Sequence, residues 1–217
     1  MGKITGLERP QDVPAKVMLL YEAVAHLIAE DVDMNSISVA TITEKAGIGK
    51  GTAYEYFDSK DDILVCAIIF YVQQLYEKVE GLLTSEVTFA GRMKLLLDEM
   101  EKGQGCDRCC SGTRYVHIIT DRSGISRLVA QKMQEEPLRD YLPDAVCERI
   151  LREGIARGEV REDLPMEYMI CTLFSKFMAY LMCVNSVGSL KMYPEKVRPY
   201  LYRSILKELC VREGEEL

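Results

Sequence analysis

Between Ile37 and Lys60 the chain runs Ile-Ser-Val-Ala-Thr-Ile-Thr-Glu-Lys-Ala-Gly-Ile-Gly-Lys-Gly-Thr-Ala-Tyr-Glu-Tyr-Phe-Asp-Ser-Lys, and its polar residues are of the kinds that contact DNA. Lys50 and Thr52 can reach phosphates or base edges, and Gly51 lets a backbone come close. Glu55 can accept a hydrogen bond from cytosine N4 or simply repel phosphate. Lys45, Lys50 and Lys60 gather positive charge around the same stretch. A second chemistry-bearing cluster is Cys106-x-x-Cys109-Cys110, followed seven residues later by His117. Cysteines pair at this spacing in zinc sites, and Arg108 and Arg114 favour reactive thiolates. A second clear cysteine pair is missing, so metal or thiol-redox sensing by Cys106, Cys109 and Cys110 stands as the alternative to inert loop cysteines.

The elements needed to hold the first cluster are short helices. Helical periodicity covers almost every segment, and no alternating strand pattern is found. A first helix is expected from Pro14 to Asp31, with Val17, Tyr21, Val24 and Ile28 on one face. Asn35 to Ile37 makes a turn, Ser38 caps a second helix through Ala46, and a third spans Gly49 to Phe57. The small residue and glycine of Ala46-Gly47-Ile48 let these two helices cross closely, which is the geometry of a helix-turn-helix. Val39, Ile42, Ala46, Ile48, Ala53 and Phe57 supply its core. The competing possibility is that Tyr54, Tyr56 and Phe57 merely form an aromatic core patch.

Asp58 and Ser59 cap a long fourth helix through Leu83, and Thr88 to Lys102 is amphipathic. Gly103 to Gly112 breaks the pattern. Helices then follow over Thr113–Asp121, Ile125–Gln134, Leu138–Arg157, Met166–Val187 and Pro194–Arg212. The expected class is all-α, with a helix-turn-helix domain at 1–62 and a larger helical domain at 63–217.

Composition narrows the function classes. Nearly half of the 217 residues are apolar, as in soluble domains, and no uncharged apolar run of about 18 residues predicts a membrane span. The N-terminus lacks a signal-like apolar stretch, so a cytoplasmic location, no membrane partner and reduced thiols are expected. The net charge of −7 opposes indiscriminate nucleic-acid binding, and residues 1–64 hold six basic against eleven acidic side chains. DNA affinity should accordingly be modest and salt-dependent. Only two histidines occur, His26 and His117, and no phosphate loop, His-Glu-x-x-His or nucleophile elbow is present. A cysteine-dependent enzyme, built on Cys109 and His117, is therefore the remote alternative, and neither an enzyme nor a cofactor is expected.

The quoted residues resemble the TetR-like bacterial repressors. Ser38-Val39, Ile42, Ala46-Gly47-Ile48, Lys50-Gly51-Thr52, Tyr54, Tyr56-Phe57, Lys60 and Ile63-Leu64 match that family's order and spacing over about residues 16–64. The resemblance implies phosphate contacts from Tyr54 and Lys60, and a base or backbone contact from Tyr56. Together with the residue-level reading, the candidate DNA-contacting set is Ser38, Lys45, Lys50, Gly51, Thr52, Tyr54, Glu55, Tyr56 and Lys60. Gly49 departs from the family's usual serine cap, and Val32 stands where a glycine commonly ends the first helix.

The resemblance also implies a homodimer on double-stranded operator DNA, released by an effector. Apolar stripes on the last two helices place Phe177, Leu181, Val197, Leu201, Ile205 and Leu209 at the dimer interface, or else in the subunit's own core. The effector pocket is expected at Phe70, Tyr71, Met93, Met100, Tyr115, His117, Met133, Phe174 and Met178. These adaptable apolar residues carry no basic cluster for a phosphorylated ligand, so a small apolar or weakly polar organic effector is expected.

Overall fold

The computed structural model describes residues 4–30, 32–102, 124–136, 138–184 and 193–211. Nine α-helices occur among the described residues: α1 (Ala15–Ala29), α2 (Val39–Ala46), α3 (Lys50–Tyr56), α4 (Lys60–Ser85), α5 (Phe89–Lys102), α6 (Gly124–Lys132), α7 (Pro143–Ala156), α8 (Met166–Val184) and α9 (Pro194–Leu209). The all-α class expected from periodicity is the class observed. The stretch Leu138–Arg157, expected as one helix, is divided into a 3-10 turn at Leu138–Tyr141 and α7. Pro143 causes the division, since it lacks an N–H and is accepted only in a first helical turn. The expected helix at Thr113–Asp121 lies outside the described residues.

The helices gather into two compact units. One comprises residues 1–77 and 105–138, the other 78–104 and 139–217. The expected domain boundary at residue 62 falls within the first turn of α4.

In the first unit α1 is the central support, because apolar residues surround most of it: Val17, Leu20, Tyr21, Val24, Leu27 and Ile28 are all buried. Tyr21 stacks on Phe70 of α4, with ring centroids 5.1 Å apart, and lies 6.3 Å from Phe57. Ile63, Leu64, Ile68 and Ile69 of α4 are buried in the same unit, as are Ile125, Val129 and Met133 on and just after α6. Burying each such side chain contributes about 1.5–3 kcal/mol.

In the second unit α5, α7, α8 and α9 enclose Phe89, Met93, Leu97, Ile150, Leu151, Leu173, Ile205 and Leu209. Gly154 permits close packing there, for a Cβ at that position would approach Val160 Cγ2 to 2.5 Å. Among the described residues, α8 is the helix long and apolar enough to cross a membrane, with a mean hydropathy of 1.3. Its Met169, Leu173, Phe177 and Tyr180 are instead spent on this core.

Candidate nucleic-acid interface

The helix-turn-helix is built by local chemistry. Ser38 Oγ accepts from the Thr41 N–H at 3.1 Å and caps α2, so this residue positions the motif as well as bordering it. At the far end Gly47 adopts φ 67°, a left-handed conformation costly for other residues, while its N–H donates to Glu44 O at 3.1 Å. The Ile48 N–H closes the turn on Thr43 O at 3.0 Å. Gly49 is the N-cap of α3, and its lack of a side chain leaves the first-turn N–H groups of α3 without a side-chain acceptor.

Ala53 is wholly buried and Phe57 nearly so, and these two fix which face of α3 turns outward. Lys50, Gly51, Tyr54 and Glu55 form the exposed face, flanked by half-buried Thr52 and Tyr56. Tyr54 is 54% exposed, which separates it from the aromatic core that Phe57 joins. Nothing stands within 4 Å of a Cβ placed on Gly51, so this face is open to a nucleic-acid backbone.

The three lysines differ in state. Lys45 Nζ pairs with Glu30 Oε1 at 2.5 Å, and Lys60 Nζ donates to the Asn35 main-chain oxygen at 3.0 Å. Lys50 is exposed and has no hydrogen-bond or ion-pair partner among the described residues. Asp61 and Asp62 occupy the first turn of α4, where they complement the helix dipole, and Ser59 Oγ accepts from the Asp62 N–H at 3.1 Å. Much of the local acidity therefore stabilises a helix start.

The expected pocket residues divide between the two units. Phe70 and Met133 are buried in the first, where Tyr71 is half-buried and meets Phe70 edge-on at 5.4 Å. Met93 is buried in the second, with Met100 and Phe174 packed against its core and Met178 half-buried. Tyr115, His117, Cys106, Cys109 and Cys110 lie outside the described residues. The described cysteines behave mainly as apolar side chains: burial pushes the Cys66 and Cys147 thiols up to about 12.

The residues expected at a dimer interface or in the subunit's own core all belong to the second unit. Phe177, Leu181, Ile205 and Leu209 are 7%, 8%, 0% and 0% exposed, and Val197 and Leu201 are partly buried against the same core. Phe177, Leu181, Ile205 and Leu209 close the second unit itself, while Val197 and Leu201 also face the groove between α8 and α9. The outward rows are Tyr168, Cys171, Ser175, Ala179 and Met182 on α8, and Lys196, Tyr200 and Arg203 on α9. Tyr200 is 71% and Met182 61% exposed. Between the rows runs a groove of about 710 Å³ lined by Ser175, Ala179, Val197, Tyr200, Leu201 and Ser204. Asn35, a turn residue by its sequence, holds other elements through both its side chain and its carbonyl.

Comparison with known proteins points the same way. Residues 22–66 match the profile described as bacterial regulatory proteins, tetR family. A fatty acid metabolism regulator protein of Bacillus subtilis (strain 168) is 28% identical over 150 residues, covering 69% of this chain and 73% of that protein. The fatty acid degradation regulator FadR from Bacillus halodurans shares the fold, with a TM-score of 0.70 at 17% identity over 91% of this chain and 97% of that one. FadR from Bacillus subtilis, solved in complex with stearoyl-CoA, gives 0.63 at 21% identity over 87% and 97%.

Proposed function

We propose that the chain is a homodimeric transcription repressor of the TetR kind, which binds operator DNA through α3 and is released by an effector carrying a long apolar chain. The observation that carries the DNA-binding reading is the exposed face Lys50, Gly51, Tyr54 and Glu55, held outward by buried Ala53 and Phe57. A short rigid helix with such a face can enter a major groove, where Tyr54 and Lys50 reach phosphate while Thr52 and Glu55 reach base edges.

Two heads are needed to span a near-palindromic operator. The outward rows of α8 and α9 are the surface for pairing two copies, since Tyr200 and Met182 are large, apolar and exposed there. Residues 1–62 serve DNA contact and 63–217 serve pairing and effector binding, with α4 linking the two functions. The effector class rests on the fatty acid regulators described above, and on the apolar character of Phe70, Tyr71, Met93, Met100, Met133, Phe174 and Met178. An effector that prefers one arrangement of the heads shifts the population towards it, and a few kcal/mol of preference changes operator occupancy by about 100-fold.

The test is fluorescence anisotropy on a duplex selected by the wild-type protein from a random pool. Binding should be lost in Tyr54→Ala/Lys50→Ala, and stearoyl-CoA should release wild-type protein at micromolar concentration. Undiminished binding by the double variant would refute the site, and indifference to stearoyl-CoA and free stearate would refute the effector class.

A further inference from the structure

We propose that Asn35 is a positioning residue that joins α6 to the DNA-reading head, so that operator binding and the state of α6 are thermodynamically coupled. This inference rests on the function proposed above. Asn35 lies in the loop that delivers Ser38 to the start of α2. Its side-chain Oδ1 accepts the Ile125 N–H in the first turn of α6 at 3.0 Å, across 90 positions of sequence. Its main-chain oxygen accepts Lys60 Nζ at 3.0 Å, at the first residue of α4. One residue thus holds three elements: the entry to α2, the start of α4 and the start of α6.

The joint is orientated on every side. Asp33 Oδ1 accepts both the Asn35 N–H at 3.0 Å and the Asn35 Nδ2 at 3.1 Å, which directs the amide nitrogen away and leaves Oδ1 for α6. Ser36 Oγ donates to Asp33 O at 2.9 Å and closes the same turn. Met34 and Ile37, on either side of the turn, are buried, so the loop is anchored in the core at both ends. On the opposite side Gly124 has φ 47°, and a Cβ there would lie 1.7 Å from Asn35 Oδ1. Only glycine fits. Beyond it Ile125, Ser126, Val129 and Met133 are buried, so the start of α6 cannot shift without moving either this core or Asn35.

Coupling through such a joint is reciprocal. If α6 holds Asn35, then DNA, by fixing α2 and Lys60, must in turn hold α6. The readout needs no effector: amide hydrogen exchange at Ile125 to Val129, measured with and without the selected duplex. In the wild-type protein the duplex should slow exchange of these amides about three- to tenfold, the scale of one neutral hydrogen bond. Asn35→Ala removes the joint from the loop side and Gly124→Ala forces it apart from the helix side. Each should abolish the duplex effect on these amides, and the double variant should be no worse than either alone. Unchanged exchange at Val24 and Leu27 of α1 in each variant separates loss of the joint from loss of folding. Duplex-induced protection that persists in Asn35→Ala or Gly124→Ala overturns the proposal. Failure of the wild-type protein to select any duplex would instead remove the proposed function and leave the joint a purely structural feature.

Discussion

The different states of the three lysines make a quantitative prediction about salt. Counterion release lowers log K by about 0.9 per phosphate contact for each tenfold rise in salt. Lys50 is exposed and without a partner among the described residues, whereas Lys45 is paired with Glu30 and Lys60 is bonded to the Asn35 oxygen. A dimer presents Lys50 twice, so Lys50→Ala should flatten the slope of log K against log salt by about 1.8. Affinity should then fall about 200-fold at 0.05 M salt and about 20-fold at 0.2 M. Lys45→Ala should change the slope by less than about 1, because its ammonium already spends its charge on a carboxylate. Anisotropy titrations of one duplex at several potassium chloride concentrations measure both slopes. An unchanged slope in Lys50→Ala, or an equal change in Lys45→Ala, refutes the assignment of Lys50 as the available phosphate contact.

Three further outcomes follow from the geometry. Gly47→Ala places a side chain at φ 67° in open space, so only backbone strain is added; stability should fall by about 1–2 kcal/mol, seen as a lower Tm, and operator binding should weaken with it. The Arg92 guanidinium bonded to Glu153 holds that carboxyl below its ordinary 4.5. A carboxylate so depressed stabilises the fold above its unfolded value and loses that contribution as pH falls through the folded one, so Glu153→Gln should flatten the loss of stability below pH 4.5 in denaturant titrations. Cys66 and Cys147, with thiols pushed up to about 12 by burial, should resist a thiol reagent at pH 8 until the protein unfolds; mass mapping of labelled peptides decides this.

What the sequence disclosed was whatever is written locally. Ser38 as a cap, Gly47 as a left-handed turn and the buried positions Ile42, Ala53 and Phe57 all act over a few residues, and their spacing was enough to place the outward face of α3. The helical class was legible for the same reason. The ion pair of Lys45 with Glu30 and the bond of Lys60 to Asn35 were not, because they span 15 and 25 positions and depend on tertiary placement. Nor did the apolar stripes reveal their partners. On α8 large apolar residues occur on more than one face, so period alone cannot say whether Phe177 or Met182 turns outward; only packing against α5, α7 and α9 decides it.

The central claim is that α3 of this chain reads base sequence, and selection from a random duplex pool tests it most directly. The wild-type protein should enrich a near-palindrome whose half-sites are a whole number of helical turns apart, about 10–10.5 base pairs each. Selection with Glu55→Ala should yield the same palindrome with preference relaxed at one position in each half-site, where the carboxylate meets a cytosine. No enriched sequence, or the same sequence with undiminished preference from both Glu55→Ala and Thr52→Ala, would contradict the account.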